Sequence, residues 1–288
     1  MKNVYYLFTV CLLLSCTQSK HENRTREILS DKLTELQADF GLVVIMDNKG
    51  DIVSMVNLIS DNGAYKEGSN EIFYTPRRIG TLFTPISMLI ALNEISSTDI
   101  VDVGEGVLLL DQGTISDHNA DRGGYGEITA KQVITFDSNV GIAKIISENY
   151  DSDKFIESIK NLGLDVEIGD IPLQWLACGY GVKISPISVL SFYSDIANNG
   201  SPEIKEMLQE VVKNGTGKPT ESEVISIAGK SGTLNLEDKH EVSFCGYFPA
   251  DNPKYTCLVI ISNPKNGYPS GGLMAGSVFK EIANAISF

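Results

Sequence analysis

Apolar positions in residues 27–39 (EILSDKLTELQAD) recur at helical spacing, with Ile28, Leu29, Leu33 and Leu36 on one face, which predicts an amphipathic helix. The period then changes. In GLVVIMDNKGDIVSMVNL two β-branched runs flank Asp47-Asn48-Lys49-Gly50, a hairpin with glycine where the turn needs a positive φ. Residues 57–75 are polar and aperiodic and predict irregular backbone. An apolar helix is predicted from Leu82 to Ile95, with Pro85 tolerated in its first turn. Residues 100–220 read as helical segments broken by glycine-rich loops: DHNADRGGYGEIT, GYGVKISP and NNGSPE. The chain closes with a strand carrying Lys230, two more strands in SFCGYFPADNPKYTCLVIISNP, and a helix from Leu273 to Ser287. Early strands that must join late ones across a helical insert describe an antiparallel sheet covered by helices, an α+β fold. Nothing alternates as β-α-β, which argues against a doubly wound parallel sheet.

A chain of 288 residues, 42% of them hydrophobic, supplies one substantial core with room for a smaller lobe. A net charge of −14 argues against nucleic acid, which needs a clustered basic face. With three histidines and no zinc-type Cys/His spacing, no metal and no cofactor are expected. Residues 1–16, MKNVYYLFTVCLLLSC, carry one lysine and then a short apolar run, the layout of a signal peptide. Its end, Leu13-Leu14-Ser15-Cys16, resembles a bacterial lipobox, in which Cys16 is lipidated and becomes the mature N-terminus; the alternatives are a plain secretory signal or a short uncleaved anchor. Residues 17–27 are polar and read as a tether, and residues 28–288 as the domain. Only the tether and one helix precede the hairpin, so the lipid is expected to supply an extracytoplasmic, membrane-anchored location. Cys178, Cys245 and Cys257 lie in apolar contexts and are expected as buried thiols, unbridged.

The chemistry concentrates on Lys230-Ser231-Gly232-Thr233 in VISIAGKSGTLN. A Lys-Ser/Thr-Gly on an edge strand is the third signature of the penicillin-recognising serine acyltransferases, after S-x-x-K and S-x-N. Read in order, GLVVIMDNKGDIVSMV, YTPRRIGTLFTPISMLIALNE, DHNADRGGYGEITAKQVITFDSNVGIAKI, LACGYGVKISPISVLSFYSDIANNG, VVKNGTGK, AGKSGT and GYFPADNPKY resemble the transpeptidase domain of class B penicillin-binding proteins. Each fragment is weak alone; their collinear order over about 250 residues is strong. The resemblance implies a β-lactamase/transpeptidase-like fold, a five-stranded antiparallel sheet flanked by helices with a helical lobe. It also implies a cell-wall setting, with peptidoglycan stem peptide or wall-synthesis proteins as partners.

The departures fall on the reactive side chains. Where the resemblance puts S-x-x-K the chain reads Thr81-Leu82-Phe83-Thr84, so Thr81 stands at the nucleophile position and Thr84 where the base lysine is lost. A threonine hydroxyl is a weak nucleophile without an adjacent base, and Thr84 cannot be one. Where S-x-N is implied the chain reads Asp137-Ser138-Asn139, a carboxylate in place of the relay serine. Asn139, Lys230, Ser231 and Thr233 keep their types at the implied substrate-binding positions, and the implied oxyanion hole uses the N–H groups of Thr81 and Thr233. Lys→Thr and Ser→Asp each lower the formal charge of the cleft by one unit. At an effective dielectric near 20, a unit charge about 4 Å away is worth roughly 4 kcal/mol before screening. Asp137 suits two roles, partner of Lys230 or N-cap of the helix in SNVGIAKII.

Several residues invite a functional reading that their context argues against. Ser277-Val278-Phe279-Lys280 is a literal S-x-x-K, yet Leu273, Val278, Ile282 and Ile286 mark its helix as a core stripe. His118 and His240 are expected as a loop residue and a strand-edge residue, and Asp99 to Asp121 as a solvated acidic face. Three functional readings remain: an inactive, lipid-anchored binding domain; an active atypical transpeptidase with Thr81 as nucleophile and Asp137 as base; and a scaffold with a closed cleft.

Overall fold

The computed structural model describes residues 20–236 and 239–286; the signal segment and Cys16 lie outside them. Helix α1 (residues 20–36) precedes the hairpin β1 (Phe40–Asp47) and β2 (Ile52–Asp61), followed by the short β3 (Ala64–Glu67). At the β1–β2 turn Asp47 Oδ1 accepts hydrogen bonds from the Lys49 and Asp51 N–H groups, and Gly50 takes φ +92°, as the sequence requires.

The insert begins with β4 (Arg77–Arg78), a 3₁₀ turn (Gly80–Phe83) and α2 (Thr84–Ala91). Then come the paired strands β5 (Ile100–Gly104), β6 (Val107–Leu110), β7 (Gly113–Ser116) and β8 (Gly126–Thr129), β5 with β8 and β6 with β7. Helices α3 (Ala130–Thr135), α4 (Asn139–Asn149) and α5 (Ser152–Asn161) lead to β9 (Val166–Ile168), α6 (Leu173–Ala177) and β10 (Val182–Ile184). After α7 (Pro186–Asn199) and α8 (Pro202–Asn214), the chain returns to the sheet as β11 (Ala228–Leu236), β12 (Lys239–Phe248) and β13 (Tyr255–Ser262), and ends in α9 (Gly276–Ile286).

The central sheet runs β11-β12-β13-β1-β2-β3, with every neighbour antiparallel. Its middle strands are apolar throughout because helices cover both faces. Along β1 the side chains alternate: Leu42, Val44 and Met46 join the core with α7 and the helical lobe, while Val43 and Ile45 join the second core with α1 and α9. β13 divides likewise, Leu258 and Ile260 to one layer and Val259 and Ile261 to the other.

The structure corrects the sequence reading in four places. The sheet has six strands, not five; β3 is mostly exposed, so its polar residues hide a strand that pairs with β2 and is tied down by the Tyr65 hydroxyl on the Leu33 and Ala38 carbonyls. The polar stretch expected as a tether is helical from residue 20, supported by ion pairs spaced one turn apart, Arg24 with Glu27 and Arg26 with Glu22. The helix expected from Leu82 to Ile95 is a 3₁₀ turn followed by an α-helix ending at Ala91. Leu273, expected in the closing core stripe, is 52% exposed, because a π turn (Gly271–Ala275) precedes α9 and shifts its phase.

Candidate functional site

A cleft of about 670 Å³ opens where β11, the edge strand, meets the Gly80–Phe83 turn, the α3–α4 junction and the segment around Tyr268. Thr81, Asp137, Asn139, Ser231 and Thr233 all line it. Gly232 lets the 3₁₀ turn sit directly on β11: a Cβ there would lie 2.7 Å from Ser243 Oγ and 3.3 Å from Leu82 Cγ. The glycine of KSGT therefore carries a packing contact that brings residue 81 to the strand.

The α3–α4 junction is three residues long, Phe136 to Ser138, and local hydrogen bonds fix it. Thr129 and Gln132 form a capping box at the start of α3. At its end the Asp137 N–H donates to the Ile134 carbonyl and the Ser138 N–H to the Val133 carbonyl, a Schellman arrangement with Asp137 left-handed at φ +58°. Ser138 then caps α4, accepting from the Gly141 N–H at 2.9 Å. Asp137 is therefore not the helix N-cap. It closes the preceding helix, which leaves its carboxylate free to reach across the cleft.

Lys230 Nζ donates to Asp137 Oδ1 at 2.6 Å and to the Ser231 carbonyl at 2.8 Å, and the lysine is fully buried. Burial pulls the Lys230 pKa below the usual lysine value, against the opposing field of Asp137. The Thr81 hydroxyl donates to Asp137 Oδ2 at 3.2 Å, with the Ser231 carbonyl at 3.4 Å as a second acceptor. Neither partner is an amine. Thr84 is buried and its hydroxyl donates to the Thr81 carbonyl at 2.9 Å, an intrahelical bond that holds it away from the Thr81 side chain.

The other polar groups are also engaged. Ser231 Oγ and Thr216 Oγ1 share a hydrogen bond of 2.9 Å, and Thr233 Oγ1 accepts from the Gly271 N–H at 3.1 Å. Asn139 Nδ2 donates to the Ser116 carbonyl at 3.1 Å, while its buried Oδ1 has no partner among the described residues.

Two features eluded the sequence. Asp117, expected on a solvated acidic face, is buried: Oδ1 accepts from the Val140 N–H at 2.9 Å and Oδ2 from the Ser138 hydroxyl at 2.8 Å. Burial pushes its pKa up, those two hydrogen bonds pull it down, and the balance is upward. Its partners lie over 20 residues away, so no local pattern marks it. His118, expected as a loop residue, and His240, expected at a strand edge, both line the cleft as well; His118 Nε2 bonds the Tyr125 hydroxyl at 3.1 Å and His240 Nδ1 the Asn235 side chain at 2.8 Å. Ser277, in the literal S-x-x-K, donates to the Met274 carbonyl at 2.8 Å and does not line the cleft.

Residues 41–284 match the family described as the penicillin-binding protein transpeptidase domain. Stage V sporulation protein D of Bacillus subtilis is 25% identical over 56% of this chain and 34% of its own length. The peptidoglycan D,D-transpeptidase FtsI of Buchnera aphidicola subsp. Baizongia pistaciae is 24% identical over 90% of this chain and 55% of its own. The chain thus spans between a third and just over half of these relatives. Among solved structures, a peptidoglycan glycosyltransferase from Burkholderia ambifaria superposes with TM-score 0.78 at 23% identity, covering 93% of this chain and 94% of that one. The transpeptidase domain of penicillin-binding protein 3 from Burkholderia pseudomallei gives 0.77 at 22%, covering 92% of each. At such identities these likenesses bear on the fold.

Proposed function

The chain belongs to the penicillin-binding protein transpeptidase domain family, and from that premise we propose that it is a member that has lost acyl transfer and acts in the bacterial envelope by binding. Its partner is peptidoglycan stem peptide or a protein of the wall-synthesis machinery, and lipid on Cys16 anchors it. One observation carries this reading: the Thr81 hydroxyl faces a carboxylate, and the cleft's lysine is buried against that same carboxylate. A hydroxyl needs a base matched to its own high pKa, and an aspartate, ordinarily near 4, is a poor one beside an amine ordinarily near 10. The relatives named as peptidoglycan D,D-transpeptidases support the cell-wall setting.

A second reading has an observation in its favour. Thr81, Asp137 and Lys230 form a continuous hydroxyl–carboxylate–ammonium chain, which resembles an activated nucleophile. The open cleft of about 670 Å³ disfavours the closed-scaffold alternative. Labelling the purified protein with a fluorescent penicillin separates the first two readings: the binding role predicts no covalent band, and the second predicts one that Thr81→Val abolishes. Co-sedimentation with purified peptidoglycan sacculi then separates a stem-peptide partner from a protein partner.

A further inference from the structure

Among the described residues Asp137 is the one formally charged side chain that lines the cleft, with 19% of its side chain exposed. Lys230 stands behind it with no exposed surface, two of its three N–H donors spent on Asp137 and on a backbone carbonyl. Asp117 lies buried nearby; burial pushes the Tyr125 hydroxyl and the Cys178 thiol up, and the charges of Asp117 and Asp137 both add to it. Two carboxylates against one ammonium leave the cleft floor one unit negative. A ligand carboxylate arriving there meets Asp137 first, and of the three hydroxyls beside it the Ser231 and Thr216 pair spends one O–H on itself, which leaves the other O–H and that of Thr233, itself accepting from Gly271, to set against that charge. The cleft also offers acceptor capacity and aromatic surface. Asp137 Oδ2 has one hydrogen-bond partner, the Thr81 hydroxyl. Tyr180, 42% exposed, and Tyr268, 77% exposed, line the same cleft, and the Tyr180 ring is held edge-on against Trp175 at 5.0 Å. Burial raises the Tyr180 hydroxyl pKa, and the field of Asp137 adds to it. A carboxylate flanked by exposed tyrosine faces is the chemistry that seats an organic cation.

We propose that the cleft receives a primary ammonium group, docked on the Asp137 carboxylate and bordered by the Tyr180 and Tyr268 rings, and turns away ligands presenting a free carboxylate. The proposal rests on the binding role above and names the chemical class that the binding selects. An ammonium brings three donors and an opposite charge to Asp137, whereas a carboxylate brings a like charge and no donor.

The test uses calorimetric titration with three capped tripeptides of one length. The first is acetyl-Ala-Lys-Ala-amide, with a free ε-ammonium. The second is the same peptide acetylated at the lysine, and the third replaces lysine by norleucine and ends in a free carboxylate. The expected result is that the first binds about tenfold more tightly than the second, as one partly screened charge contact provides, with the third weakest. In Asp137→Asn combined with Lys230→Met, which leaves no buried charge unpaired, the first two bind alike. Equal binding of the first two by the natural protein, or tightest binding by the third, overturns the ammonium proposal and leaves the binding role standing. No binding by any of the three also overturns the ammonium proposal, and absence of co-sedimentation on sacculi then assigns the binding role to a protein partner.

Discussion

The Lys230–Asp137 pair decides what the cleft can do and what each residue costs if removed. A fully buried ammonium is tolerated because a carboxylate sits 2.6 Å away. Asp137→Ala leaves that charge uncompensated and is expected to lower stability by about 3–5 kcal/mol, whereas the double variant Asp137→Ala, Lys230→Met recovers most of the loss. Urea denaturation of both variants checks this; equal destabilisation by the two contradicts it. The same pair governs reactivity. Restoring Thr81→Ser, Thr84→Lys and Asp137→Ser together returns a hydroxyl, an amine one turn on and a freed Lys230, and slow acylation by a fluorescent penicillin is expected. Thr81→Ser alone is expected to stay unlabelled, since the hydroxyl still faces Asp137.

Elements place these residues, and here sequence and structure part company in instructive ways. The β1–β2 hairpin, the closing strands and the first helix are legible because their signals are local: alternation, a turn glycine, apolar residues at helical spacing. The order of the motifs singled out Thr81, Asp137, Asn139 and Lys230, although neither spacing nor composition says that the first three line one cleft with Lys230 buried behind Asp137. Asp137 shows the limit. Whether it or Ser138 begins α4 depends on how the preceding helix ends, which the Schellman bonds decide and a list of cap propensities does not. Asp117 was illegible because its partners, Ser138 and Val140, are brought to it by the fold. Ser138→Ala removes the α4 cap and one donor to a buried carboxylate, so a loss of about 2 kcal/mol is expected. Thr129→Ala, at a half-buried capping box with no buried carboxylate behind it, is expected to cost about 1 kcal/mol. Comparable losses at the two sites in thermal melts would contradict the role given to Asp117.

Across the whole molecule, two carboxylates with opposite shifts shape the response to pH. Burial raises Asp117, so its contribution to stability is complete below the ordinary aspartate pKa and is lost as pH rises through its higher folded value. Hydrogen bonds from Asn263 and Lys265 lower Asp39, so its contribution is present above the ordinary value and is lost as pH falls through the lower one. Asp117→Asn is therefore expected to flatten the decline on the alkaline side of that ordinary value, and Asp39→Asn the decline on its acid side, in denaturation curves taken across pH. Among the described residues no helix is long and apolar enough to cross a membrane. Anchoring through Cys16 thus predicts that Cys16→Ser moves the protein from the membrane fraction to the soluble one in a bacterial host, while a spanning or peripheral attachment predicts no change.

The measurement closest to the central claim is the intact mass of the purified natural protein after prolonged exposure to benzylpenicillin, with fragment mapping of any adduct. A cleft in which the hydroxyl of residue 81 faces a carboxylate and a backbone carbonyl, with no amine among its hydrogen-bond partners in the described residues, predicts an unchanged mass. An adduct mapped to Thr81 would show that this carboxylate activates the oxygen after all, and the loss of acyl transfer would have to be abandoned.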